Sequence, residues 1–406
     1  MTRILFNITG RCSSSYCKRI SLFLSILLAG LYETTPLQAQ QKEDSPVIEE
    51  VFVIPEIYAG RIVPNYLNYP EANLRWGIGA TLYRQSNEKN SVNHYYNNPL
   101  IGLNVSFHNL GNNSLFGNEL NLLPVVGFPL KKGIIQLGLG VSYFTKTYRD
   151  NPLNKAVGSH ITWCFQSFYY RNFLLASGKS LRIGFGYLHG SNGHTQLPNF
   201  GLNSAALSFG LYKKPAISRP VKTSANTQKT PMQVFITANF GVGFHEFGGT
   251  SAPVGGPKKL VYSSSIAGGV ILNNQFRWYA GFGIRHYEHF ADSIANSPEL
   301  QALKVSPESF YFMMGAEFLI HHIGLSIEGG INIYKPFYEH FSREFESQES
   351  IKYHLRKIFL TRLGLRLYLF NTSDKPKHNF YLAPYLNANL GKADFSEISM
   401  GYIYNF

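Results

Sequence analysis

Cysteine is almost absent from this sequence: Cys12 and Cys17 precede residue 20 and only Cys164 lies beyond, so no disulfide framework is available even in an oxidising compartment. Long apolar runs are missing too. The longest, Ile20–Leu31, has 12 residues, short of the ~20 that a helix needs to cross a bilayer. No cysteine follows it at a cleavage position, which argues against a lipoprotein. Negative charge is scarce, with 24 Asp and Glu against 37 Lys and Arg, and only 15% of the residues carry charge.

Arg3, Arg11, Lys18 and Arg19 stand ahead of the apolar run, and the small-residue site Leu37-Gln38-Ala39 follows it. This is the pattern of a cleaved export signal spanning 1–39, with the mature chain starting at Gln40. Removing those residues takes four Arg or Lys and one Glu from a net charge of +13 and leaves +10. Export excludes nucleic acid as the partner of that charge and favours an anionic lipid or a phosphate-bearing glycolipid. Cys164 reads as an ordinary wall residue.

Aromatics make up 15% of the chain, glycines number 37, and mean hydropathy is near zero because apolar and polar residues alternate. In 397–406, Ile398, Met400, Tyr402, Tyr404 and Phe406 share one face against Glu397, Ser399, Gly401 and Asn405. In 133–145, Ile135, Leu137, Leu139, Val141 and Tyr143 oppose Gln136, Gly138, Gly140 and Ser142. In 360–369, leucines alternate with Arg362, Gly364, Arg366 and Tyr368, so the arginines must face a polar interior. Period-two segments of about ten residues with one lipid face and one lumen face are the mark of a membrane barrel strand.

Sixteen such segments are expected, near 50–63, 73–85, 99–108, 119–130, 133–147, 158–174, 180–191, 203–213, 233–245, 258–270, 275–289, 307–321, 323–335, 357–370, 377–390 and 394–406; fourteen is the alternative count. The fold class is therefore all-β, a transmembrane antiparallel β-barrel over 40–406 in the outer membrane of a Gram-negative bacterium. Short turns after even-numbered segments and long loops after odd ones put both termini in the periplasm. The connections 86–98 and 214–232 are long where they should be short, and 391–393 is short. The polar stretch 214–232 reads either as a linker between two eight-stranded barrels or, preferred here because the rhythm continues unchanged, as a loop of one large barrel. The terminal Phe406 resembles the signal read by the barrel assembly machinery.

The segment 186–204 is the most chemically loaded. Leu181, Ile183, Phe185 and Tyr187 form an apolar face that, continued by twos, reaches His189 and Ser191, and Asn203 shares a face with Ala205, Leu207, Phe209 and Leu211. Antiparallel pairing across 192–202 brings Asn203 beside His189. A serine hydroxyl becomes a nucleophile when an imidazole takes its proton and a third group orients that imidazole; Ser191, His189 and Asn203 fit those roles, with Asn192 and Gly193 as oxyanion donors. The competing reading is three polar residues decorating the outer rim. His286 with His289, and the pair His321-His322, lack metal-ligand spacing, and no cofactor is called for.

The run His189-Gly190-Ser191-Asn192-Gly193, followed by Pro198-Asn199-Phe200-Gly201-Leu202-Asn203, resembles the H-x-S-N…P-N-x-G motif of the lipid A 3-O-deacylase (PagL) family and its longer acyloxyacyl-hydrolase-like members. Ile62-Val63-Pro64-Asn65-Tyr66, Leu122-Leu123-Pro124, Tyr143-Phe144-Thr145 and Asn151-Pro152-Leu153-Asn154-Lys155-Ala156 add to the resemblance, which covers about 50–215. It implies a serine–histidine–acid site on the barrel exterior that removes an ester-linked acyl chain from lipid A. It implies His189 as base, Ser191 as nucleophile and Asn192 as oxyanion donor. Where the resemblance implies a glutamate, this chain has Asn203; Glu119 and Asp150 are the other acids considered. The alternative function is a non-enzymatic porin-like or transport barrel, since sixteen strands in one ring can enclose an aqueous pore.

Overall fold

The computed structural model describes residues 49–86, 99–175, 178–213, 232–273, 275–345 and 350–406. The export segment 1–39 with its cleavage point lies outside the described residues, as does 214–231. Sixteen strands run β1 Glu49–Val63, β2 Arg75–Ser86, β3 Leu100–Asn109, β4 Asn118–Leu130, β5 Gly133–Phe144, β6 Ile161–Leu174, β7 Lys179–Ser191 and β8 Leu202–Lys213. They continue with β9 Gln233–Glu246, β10 Lys258–Leu272, β11 Phe276–Tyr287, β12 Glu308–Ile320, β13 Ile323–Tyr334, β14 Phe359–Tyr368, β15 His378–Asn389 and β16 Lys392–Asn405. Every expected segment is present, with its ends displaced by no more than three residues.

Closure corrects the single large barrel. β1 pairs antiparallel with β8, from Glu56↔Gly210 to Val63↔Asn203, and β9 pairs with β16, from Ser396↔Phe244 to Asn405↔Phe235. The chain thus forms two closed eight-stranded barrels, β1–β8 and β9–β16. The stretch 214–232 joins one barrel to the next, which accounts for its length on the side of short turns.

Eight strands leave an interior only wide enough for side chains, and both interiors are filled. In the first, the buried Glu56 carboxylate accepts hydrogen bonds from Thr81 Oγ1 at 2.9 Å and Ser208 Oγ at 2.8 Å. Arg182 lies 3.9 Å from Glu56 and stacks 3.5 Å over the Tyr170 ring. In the second, Arg366 pairs with Glu317 at 2.9 Å and Glu328 at 3.2 Å, and Arg362 pairs with Glu328 and Glu397. The arginines of β14 face inward as their alternation requires. Gly364 and Gly401 stand opposite Tyr385 and Tyr381, where an added Cβ would lie 2.1 and 2.0 Å from the rings; glycine makes room for the tyrosines that plug the lumen. Cys164, fully buried, also points inward.

The outer walls are the reverse. Ile57, Ile78, Phe185 and Leu207 on the first barrel, and Ile266, Phe282, Met314, Ile327 and Met400 on the second, are exposed. Apolar groups outside and ion pairs inside suit lipid as the solvent. Connections 64–74, 110–117, 145–160 and 192–201 of the first barrel, and 247–257, 288–307 and 335–358 of the second, leave the odd-numbered strands and are longer than most at the opposite end. Phe128 of β4 packs edge-on against Phe318 of β12, with ring centroids 5.4 Å apart.

Candidate functional site on the outer wall of the first barrel

Alternation along β7 sends Arg182 and Leu188 into the lumen and Phe185 and Tyr187 outward, so His189 and Ser191 share the outward face. The β7–β8 register places His189 directly opposite Asn203, between Leu188↔Ser204 and Gly190↔Leu202. His189 Nδ1 lies 2.6 Å from Asn203 Oδ1, and the Tyr187 hydroxyl donates to the same oxygen at 2.7 Å. An oxygen that accepts from the phenol also accepts from the ring nitrogen. This sets Nδ1 as the protonated position and leaves the Nε2 lone pair free. His189 and Asn203 are half-buried.

Ser191 is more enclosed, 8% exposed. Its Oγ is not hydrogen-bonded to His189; it sits 3.1 Å from Asn199 Oδ1 and 3.0 Å from Asn199 Nδ2. Gly201, in the left-handed region at φ 76, brings its backbone against both side chains: a Cβ there would stand 2.8 Å from His189 Cε1 and 3.5 Å from Ser191 Cβ. The Ser191 and His189 side chains therefore border the same Gly201 backbone.

Of the two expected oxyanion donors, the Gly193 N–H points at Ser191 Oγ from 3.4 Å. The Asn192 side-chain amide donates instead to the Gln196 carbonyl at 2.7 Å, and the Asn192 backbone N–H donates to Asn199 Oδ1 at 3.1 Å. Neither alternative acid is available to His189. Glu119 is in the lumen, ion-paired with Arg75 at 2.7 Å, and Asp150 accepts from the Thr147 backbone N–H at 2.8 Å. His286 bonds Glu308, His289 bonds the Pro257 carbonyl and His322 bonds the Tyr368 carbonyl. Sequence reasoning missed the roles of Tyr187 and Asn199. Tyr187 lies two residues before His189 on one face, and Asn199 stands inside the motif.

The second barrel reaches this site. Trp163 Nε1 donates to Ser396 Oγ at 2.9 Å, and Ser396 Oγ donates to the Asn192 carbonyl at 3.3 Å. His194 in the β7–β8 loop is buried, with Nε2 3.2 Å from the Gly248 carbonyl. That burial, reinforced by the Lys392 ammonium, pushes its imidazole down to about 4.

Barrels inverted in this way, apolar outside and ion-paired inside, define an outer-membrane β-barrel protein, here with a serine, a histidine and an amide gathered on its lipid-facing wall. Residues 74–212, a third of the chain and β2 to β8 of the first barrel, match the model of the family described as lipid A 3-O-deacylase (PagL). None of the curated proteins matches the sequence. Among solved structures, the chain is similar to a loop-deletion mutant of OmpT, an outer membrane protein of Vibrio cholerae, at 10% identity over 88% of this chain and 99% of that one, with a TM-score of 0.19. OpdK of Pseudomonas aeruginosa aligns at 10% identity over 88% and 99% with a TM-score of 0.20, and OprB of Pseudomonas putida at 7% over 88% and 94% with a TM-score of 0.17. Superpositions this poor carry no argument, and the fold rests on the strand pairing.

Proposed function

We propose that the chain is an outer-membrane serine esterase that removes an ester-linked acyl chain from lipid A or a related glycolipid. The observation that carries this is the 2.6 Å contact between His189 Nδ1 and Asn203 Oδ1 beside Ser191 on the lipid-facing wall, and the match of 74–212 to a lipid A deacylase family supports it. Ser191 Oγ attacks the ester carbonyl carbon while its proton passes to His189 Nε2. Gly193 N–H, with Asn192 once its amide leaves Gln196, stabilises the oxyanion. The bond to the sugar oxygen breaks as the imidazolium returns the proton to that oxygen, leaving an acyl ester on Ser191. Water, deprotonated by the same imidazole, then releases the fatty acid and restores the serine.

The longer loops leave the same strand ends as the site, which by the usual asymmetry of outer-membrane barrels is the outer end, where such glycolipids lie. Residues 1–39 act as the export signal, and Phe406 is the contact for the assembly machinery. The channel alternative depended on one wide ring, and the filled eight-stranded interiors remove that basis.

The test is release of acyl chains from purified lipid A in detergent micelles, followed by mass spectrometry. Ser191→Ala and His189→Ala should each reduce turnover by ~10³-fold or more with folding intact, and the double variant should lose no more than either, because the two act as one unit. A folded Ser191→Ala that still deacylates removes the serine-esterase assignment.

A further inference from the structure

The loop that carries Asn199, and through it holds Ser191, is held at Phe200 and Gly201 by its own barrel, through Lys155, Ala156 and Asn65, and from His194 to Asn199 by the other. Asn199 N–H donates to the Thr250 carbonyl at 2.9 Å, and Glu246 N–H donates to the His194 carbonyl at 3.1 Å. The Glu246 carboxylate, at the end of β9 and 1% exposed, accepts the Leu197 N–H at 3.0 Å through one oxygen. Its other oxygen takes the N–H groups of Gly255 and Gly256 at 2.6 and 2.9 Å. Gly193 is pressed against the same barrel, since a Cβ there would lie 2.3 Å from Ser396 Oγ and 2.6 Å from Leu386 Cδ1. Three backbone donors converging on one buried side chain require an acceptor without hydrogens of its own. A carboxylate meets that demand, and an amide turns an N–H toward an N–H.

Building on the esterase reading, we propose that the second barrel is a clamp on the nucleophile loop of the first, and that Glu246 is a positioning residue for Ser191. Glu246 ties Leu197 of the 192–201 loop to the 247–257 loop of the second barrel; Thr250 in that loop holds Asn199 by its backbone; Asn199 holds Ser191 by its side chain. These hydrogen bonds, joined by the short backbone runs Leu197–Asn199 and Thr250–Gly255, connect Glu246 to the serine oxygen. Loosening them displaces the nucleophile and the Gly193 N–H relative to His189, and a misplacement of ~1 Å can cost ~10²-fold in rate.

The experiment uses the full-length protein in micelles. Glu246→Gln keeps the shape and turns one of the two acceptor oxygens into a donor. It should lower kcat about tenfold or more with KM within about twofold, slow labelling of Ser191 by a fluorophosphonate to the same degree, and speed amide hydrogen exchange in 192–201. Glu288→Gln, another rim carboxylate of the second barrel that takes the Leu260 N–H and the Tyr262 hydroxyl, should leave all three unchanged. Should Glu246→Gln fail to fold, Ser396→Val disturbs the clamp from its outer wall and should give the same pattern in weaker form. A folded variant with wild-type kcat, labelling and exchange overturns the proposal. An inactive wild-type protein overturns the esterase reading instead, and the exchange measurement still reports whether the clamp exists: faster exchange in Glu246→Gln supports it, and unchanged exchange refutes it.

Discussion

Asn203 is the position where the chemistry of this site can be tuned without dismantling it. Its Oδ1 takes two hydrogens, from His189 Nδ1 at 2.6 Å and from the Tyr187 hydroxyl at 2.7 Å. In the proposed reaction the imidazole becomes an imidazolium, and a neutral amide meets that charge only with its dipole. Replacing Asn203 by Asp exchanges the amide for a carboxylate of the same shape. A neutral hydrogen bond contributes about 0.5–1.5 kcal/mol net and one to a charged group about 1.5–3, so the gain confined to the charged state is about 1 kcal/mol. That corresponds to about a fivefold rise in kcat. Asn203→Ala removes the acceptor and frees the ring to rotate and change tautomer, a loss of about 2 kcal/mol and about 30-fold in kcat.

The assay is acyl release from lipid A in micelles at saturating substrate, comparing Asn203→Asp, Asn203→Glu and Asn203→Ala with the parent, each checked for the heat-modifiable mobility of a folded barrel. Asn203→Glu places a carboxylate one methylene further out and should fall between the parent and Asn203→Asp. The order Asp, parent, Ala is the expected outcome. Wild-type kcat in Asn203→Ala, with Ser191→Ala inactive, would show that the amide does not orient the base. Asn203→Asp slower than Asn203→Ala would refute the charge argument itself, because it would mean that the cost of a carboxylate on a lipid-facing wall outweighs its attraction for the imidazolium.

Arg366→Met takes from Glu317 and Glu328 the guanidinium at 2.9 and 3.2 Å but leaves Arg277 on Glu317 and Arg362 on Glu328, and should destabilise the second barrel by less than the ~3–5 kcal/mol of a fully broken buried pair, read as a lower midpoint in urea unfolding from micelles. His194 is held neutral, its imidazole lowered from 6.5 to about 4 by burial. The unfolded chain then binds the proton first as pH falls, so the stability that His194 contributes is complete above about pH 6.5 and is lost between there and about pH 4, on the order of 3 kcal/mol in all. His194→Gln, which cannot titrate, should flatten that slope in hydrogen exchange of the 192–201 loop; an unchanged slope would exclude His194 as its source.

Strands were legible in the sequence because a wall with lipid on one side and packed side chains on the other imposes period two over most of each strand, interrupted locally as at Phe310–Tyr311 and Asn387–Ala388. Phe185, Tyr187 and His189 stand on one side of β7 and Arg182 and Leu188 on the other, and the sequence alone fixes that division. The pairing of His189 with Asn203 was legible for the same reason: a single loop joins β7 to β8, so only a narrow range of registers is available. The resting partner of Ser191 was not legible, since Asn199 lies in an irregular loop whose path depends on Thr250 and Glu246, about fifty residues on in the chain and in the other barrel.

Closure was hidden for a different reason. Alternation tells which face a residue occupies, and one ring of sixteen and two rings of eight have the same faces. What separates them is volume. A wide ring encloses water, and its inward residues need only be polar, whereas an eight-stranded ring has to be filled. The inward residues here are of filling size: Tyr58, Tyr83, Phe168, Tyr170 and Arg182 in the first barrel, and Tyr279, Tyr311, Arg366, Tyr381 and Tyr385 in the second, all buried. Glycines stand directly opposite several of those rings, as with Gly283 and Tyr311 or Gly315 and Tyr279, and a water-filled pore has no use for that pairing of largest with smallest. The same filling bears on the proposed function: with both lumens occupied by side chains, the proposed chemistry falls to the walls and rims, where His189 and Asn203 stand half-buried beside the more enclosed Ser191 and where the proposed clamp of the second barrel lies.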